Sequence, residues 1–333
     1  TNTTDEVENA FEMGGIAGVW HNENGTTVKL TGCEFTGELH TPNINEVVNF
    51  YYNGLVGAPY KADGTGKLII SGTQYVRSLA ELQAAVDAAD EDVTICFGAD
   101  IEGDVTVIQK QGVKITIDGK EQKYIGSIKV HSNSNHYADA ALTIKNVNFE
   151  TATASTNFIE ALENGAKRYS CNITVENCTF TATGEAVNTA VGVQIKASKN
   201  AKVIGCKATN MHSLIQAQSC DESVLVQNCE VVNGKNGVAF KQVKAATVEG
   251  TTINATGYGI RFDGNIDNYG IVVKDNNITA NQPFIVRKMT GQNNTITLEG
   301  TNTLTTGEKY QVVITNGQDD AEYVKPTGTY TLT

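Results

Sequence analysis

The sequence predicts an all-β solenoid: short parallel strands wound into stacked coils, with one short helix. Three observations carry this reading. The stretch NITVENCTF, Asn172 to Phe180, alternates apolar and polar residues and then breaks at Asn177 and Cys178, and the same break returns in AKVIGCKA and VLVQNCEV. From Asn146 onward the breaks fall 31, 28, 23, 22, 25 and 25 residues apart, the repeat length of a solenoid. The composition, with 32 Gly against 4 Pro and many Thr and Asn, is that of strands joined by tight turns.

Aligned on the break, ten positions coincide: Gly32, Gly72, Gly119, Asn146, Asn177, Gly205, Asn228, Gly250, Asp275 and Gly300. All are Gly, Asn or Asp, the residues that enter the left-handed region at least cost, so each marks a bend between two strands. Two and four residues ahead of every bend stands an aliphatic side chain, from Leu30 and Val28 at the first to Leu298 and Ile296 at the last. Mostly polar residues lie between them, the period of a strand with one dry face. Three residues after the bend, Phe35, Tyr75, Phe149, Phe180, Val231, Ile253 and Ile278 restore an apolar contact, whereas Gln122 and Thr303 do not. A second apolar stretch ahead of the bend, as in VGVQIKA, NGVAFKQ and YGIRFDG, gives each coil two or three strands.

In chain order, GGIAGVW, CEFTGEL and NGLVGAPY share the bend register at Gly32 and Gly72, so residues 1–76 are read as a first solenoid segment. In RSLAELQAAVDAADED, Ser78 and Glu81 have capping-box spacing, and Leu79, Leu82, Val86 and Ala89 fall on one face, which predicts a helix over 78–90. A helix there covers the bare strand edges at a solenoid end. Residues 77–333 form the second unit, with coils over about 93–305 and closing strands over 306–333, where KYQVVITNG and GTYTLT alternate around the surface turn QDDAEYVKP.

The period, the Gly/Asn bends and the aliphatic ladders resemble the right-handed parallel β-helix superfamily that includes pectate lyases and polygalacturonases. The short glycine-rich segments GGIAG, CEFTGEL and NGLVG are similar to the GLUG repeats of bacterial surface adhesins. The first resemblance implies a right-handed coil and an elongated face suited to polysaccharide, and the second a bacterial surface location. The polygalacturonase NTD, DD, GHG and RIK motifs do not occur in the coils; Asp319 and Asp320 lie in the tail. The pectate-lyase calcium cluster has no residue-by-residue counterpart.

Charge narrows the partners. With 37 acidic and 25 basic residues the net charge is -12, and no Lys/Arg-rich run occurs, so nucleic acid is not expected. No apolar stretch reaches the roughly 20 residues that span a bilayer, and Thr1 begins without a leader, so any export signal is expected to have been removed or never to have been there. Seven cysteines with no CxxC pair point to no metal centre. Cys178, Cys206 and Cys229 follow consecutive bends and point one way, at coil spacing, which is longer than a disulfide prefers; they are expected to be buried thiols.

Candidate binding residues come from the second stretch, where Val193, Ile215, Val238, Ile260 and Phe284 recur at 22, 23, 22 and 24 residues and should point inward. That sends Gln194, Gln216, Ala239 and Arg261 outward in one column, and Lys196, Gln218, Lys241, Asp263 and Arg287 in the next. Amides and cations there suit sugar hydroxyls or acidic sugars, although any solvated sheet face is polar. Asp263 is the one carboxylate in the columns and so the one catalytic candidate. DGNIDN, Asp263 to Asn268, has the composition of a calcium loop without its Gly and Glu spacing, so a turn and no cofactor are expected. His131 and His136 in HSNSNHYADA could rim a groove, and Trp20 could stack on a sugar. The reading that leads is an exported bacterial surface protein binding polysaccharide or host glycan without catalysis; a polysaccharide lyase or glycoside hydrolase, and a structural stalk, are the alternatives.

Overall fold

A computed structural model describes residues 73–132, 137, 139–161, 170–263, 270–287, 295–306 and 312–315, together with short strands at Asn9–Glu12, Val28–Lys29, Glu38–His40 and Leu68–Ile69. Three parallel sheets run the length of the main body. The first has nine strands, from Ile101–Glu102 to Thr303–Thr305; the second also has nine, from Val105–Gln109 to Val312–Thr315; the third has ten, from Thr73–Val76 to Thr295–Glu299. Each coil passes through the first, second and third sheets in turn and then bends into the next coil, so neighbours in every sheet are one coil apart.

The register is the one the aliphatic ladder requires. Ile117 aligns with Ile144, Ile144 with Val175, Val175 with Val203, Val203 with Val226, Val226 with Val248 and Val248 with Val273. All seven are fully buried. At the far end Ile296 and Leu298 are only partly buried. An aromatic file, Phe97, Tyr124, Phe149 and Phe180, continues the interior with ring centroids 5.9, 5.6 and 5.1 Å apart. Each buried ring or aliphatic side chain is worth about 1.5–3 kcal/mol relative to exposure, which is why a face only two residues in period can hold so long a body.

The bends between the third and first sheets are left-handed at Asn146, Asn177, Gly205, Asn228, Gly250, Asp275 and Gly300, with φ from 51 to 62°. Gly119 departs. There Lys120 and Glu121 take the left-handed conformation instead, and counting three residues from Glu121 reaches the buried Tyr124 in place of Gln122. In the last described coil Leu304, one residue beyond Thr303, fills the core. Tyr75 also departs: its strand pairs in the third sheet, Tyr75 opposite Cys96, and not in the first sheet, where the residue three beyond a bend belongs. Gly32, Gly72 and Trp20 lie outside the described residues, but Val28 and Leu68, equivalent in the sequence register, are paired in parallel.

The helix spans Leu79–Asp87, shorter than 78–90, because Ala88 already closes it with backbone bonds to Ala84 and Val86. Ser78 caps it by accepting from Glu81 N at 3.2 Å, and the Glu81 carboxylate accepts from Arg77 N at 2.7 Å, one residue earlier than a capping box places that bond. Leu82 and Val86 face the core. The Gln83 amide pairs with the first strand of the second sheet as a peptide would: Nε2 donates to Thr106 O and Thr106 N donates to Oε1, both at 2.9 Å. Two open edge groups are thereby satisfied.

Candidate functional site

The second sheet builds the site. Val193, Ile215, Val238, Ile260 and Phe284 align coil by coil and are fully buried. Since a strand alternates faces, the same register puts Gln194, Gln216, Ala239 and Arg261 outward in one column, with Ile285 completing it. Lys196, Gln218, Lys241, Asp263 and Arg287 form the next. Over these five coils the two columns hold four cations and one carboxylate, on a chain whose net charge is -12.

A depression of about 130 Å³ opens across the columns, lined by Gln194, Gln216, Gln218, Lys241, Tyr258 and Arg261 among others. Its charges are not the solvated pairs a polar face would carry. Asp263 is 4 % exposed although it points outward, because two guanidinium groups close over it. Arg287 donates from Nε to Oδ1 at 2.7 Å and from its terminal nitrogen to Oδ2 at 3.1 Å. Arg261, on the same strand, donates to both oxygens through Nε and to Oδ2 through its terminal nitrogen. Burial on its own would raise the Asp263 carboxyl pKa, but the hydrogen bonds and charges of Arg287 and Arg261 outweigh it and hold the group below the usual carboxylate range. The Arg261 guanidinium also lies 5.4 Å from the Tyr258 ring centroid, within cation–π reach.

The fork that Arg261 was expected to offer a ligand carboxylate is therefore taken by Asp263. A carboxylate ionised this firmly, with both oxygens accepting, has no proton to give and is a poor general acid. Lys241 stays exposed, while the three glutamines are half-buried; Gln194 and Gln216 are one coil apart, and Gln218 follows Gln216 on the same strand. Gln194 Nε2 lies 3.5 Å from Gln216 O.

Four residues at the rim were not singled out from the sequence. Tyr258 N donates to Asn236 Oδ1 at 3.3 Å. His212 Nδ1 is 2.9 Å from both Ser213 Oγ and Gln216 Nε2, and His212 Nε2 is 3.4 Å from Asn236 Nδ2. Ser213, Asn236 and Tyr258 each stand two residues before an inward residue of the ladder, and that offset was the available signal. His131 lies half-buried further up the sheet, paired with Ile108, whereas His136 and residues 264–268 of the DGNIDN stretch lie outside the described residues. Among the described residues no group of three His, Cys, Asp or Glu is placed to hold a metal ion, and no helix is long and apolar enough to cross a membrane.

Three coiled parallel sheets, left-handed bends between the third and first sheets from Lys120 onward and a polar outer face over an aliphatic core define a right-handed parallel β-helix. The chain belongs to the right-handed β-helix family: the model of the right handed beta helix region matches residues 126–319. No curated protein matches the chain.

Proposed function

We propose that the depression on the second sheet binds an acidic oligosaccharide and holds it without cleaving it, so that the chain acts outside a bacterial cell as an adhesion surface. The observation that carries this reading is the pairing of Asp263 with Arg261 and Arg287. It removes the one carboxylate of the columns from acid chemistry and leaves the surface with surplus positive charge. Gln194 and Gln216, one coil or about 4.8 Å apart, and Gln218, two residues along the strand from Gln216, offer donors and acceptors to sugar hydroxyls. Lys241 is the exposed cation beside them.

A glycan array combined with reducing-sugar and unsaturated-product assays tests the reading. Binding to uronate-containing oligosaccharides with no product is expected, and Gln216→Ala or Lys241→Ala should each weaken it by about 1–3 kcal/mol. Product formation would move the protein to the carbohydrate-active enzymes. Silence in both assays would leave a structural stalk.

A further inference from the structure

Gln216 is the glutamine at the middle of the depression, and its amide is not held by the sheet alone. It meets His212 Nδ1 at 2.9 Å and Ser213 Oγ at 3.3 Å. On the other side of the same imidazole, Asn236 Nδ2 approaches Nε2 at 3.4 Å. Asn236 in turn accepts from Tyr258 N, and Tyr258 packs against Arg261. His212 is absent from the lining of the depression, yet it touches the two amides through which the rim is organised.

We propose that His212 is the positioning residue of this site, that it works only as neutral imidazole, and that its protonation releases Gln216 and weakens ligand binding in acid. The inference rests on the binding role given to the depression. A neutral imidazole has one acceptor nitrogen to offer an amide N–H; an imidazolium has none and directs N–H groups at both amides. In the neutral ring that acceptor is Nδ1, where Gln216 Nε2 and Ser213 Oγ converge at 2.9 Å while Asn236 Nδ2 stays 3.4 Å from Nε2, so on protonation it is Gln216 that must turn its oxygen to the ring. The charged groups bearing on the ring are Lys235 and Arg261, both cations, and the backbone N of His212 donates to the Ala190 carbonyl of the preceding coil at 2.7 Å. Burial, then the charges of Lys235 and Arg261, hold the His212 pKa below the usual histidine value, so the neutral form prevails at pH 7. Charge by itself predicts the opposite behaviour, because a cationic ring would attract an acidic sugar more strongly as pH falls.

The experiment is a pH titration between 4.5 and 8 with two readouts. In nitrogen-15 NMR of the free protein, the side-chain amide protons of Gln216 should move with the midpoint of the His212 ring, and should stay still in His212→Gln. Should they titrate with a different midpoint, or not at all, the positioning role is wrong whatever the protein binds. In calorimetry with a galacturonate hexamer, the parent's affinity should fall by about tenfold per pH unit below that midpoint, and His212→Gln should be flat. Affinity that is constant or rises in acid overturns the gate while leaving the binding face. Absence of binding at every pH overturns the binding face, and the NMR midpoints then decide the positioning role by themselves.

Discussion

Asn177 and Gly205 occupy the same place in consecutive coils, and each explains the other. The Asn177 side chain leans over the next coil, so that a Cβ at Gly205 would stand 2.5 Å from Asn177 Oδ1; the same distance separates a Cβ at Gly250 from Asn228 Oδ1, and Gly300 faces Asp275 in the same way. A left-handed φ is thus only half of why glycine alternates with Asn or Asp here. Gly250→Ala should cost about 2–3 kcal/mol in urea denaturation with an unchanged m-value, and adding Asn228→Gly should recover the part due to the contact. An intact loss in the double variant would mean that φ alone is responsible. Asp263 makes a second case. Asp263→Asn removes the charge that two guanidinium groups share and should destabilise by roughly 1–3 kcal/mol, less than a fully buried pair because both arginines reach solvent. Since the folded pKa of Asp263 lies below its unfolded value, that contribution is present above about pH 4 and is lost as pH falls through the folded value. The stability gap between parent and variant should therefore close on acidification.

At the scale of the element, the strands and their register were legible in the sequence because a buried face two residues in period admits no one-residue slip without turning Val175 or Val226 to solvent. Gly119 was misread because Lys120 and Glu121 move the bend within a segment of the same polarity. The columns of the second sheet were legible for the same reason as the core. The clamp on Asp263 and the ring of His212, Ser213 and Asn236 were not, since they join side chains from different coils whose conformations no period encodes. Val226→Asp puts a carboxylate between Val203 and Val248 and should cost more than 4 kcal/mol, preventing cooperative folding. The capping helix is tested at Gln83. Gln83→Ala frees both Thr106 groups and should destabilise by about 1–3 kcal/mol, with faster amide exchange at Thr106 as the local signature.

At the scale of the molecule, coils are tied together along the bend by side chains as well as by the ladder. Cys178, Cys206 and Cys229 each donate a thiol bond to a carbonyl of the coil before, at 3.7, 3.6 and 3.4 Å. Thr251, Asn276 and Asn302 take over the file further on; Asn276 Nδ2 reaches Val248 O at 2.8 Å. The six described cysteines are buried thiols outside any disulfide, and burial pushes Cys220 up to about 12 and Cys96 up to about 11, so alkylating reagents should leave them untouched until the protein unfolds. A fast-reacting thiol at Cys178, Cys206 or Cys229 in the native protein would contradict the stacked file. The bend column carries one more implication, for how such a chain can change length. Asn146 turns its amide back to Asp118 Oδ1 at 3.0 Å, but Asn177 and Asn228 point forward and need a glycine ahead of them. Excising residues 205–227, one coil, would set Asn177 against Asn228; excising 205–249, two coils, would set it against Gly250. In this stretch the unit that can be lost or duplicated without a clash is the pair of coils, so variation in repeat number should proceed by twos.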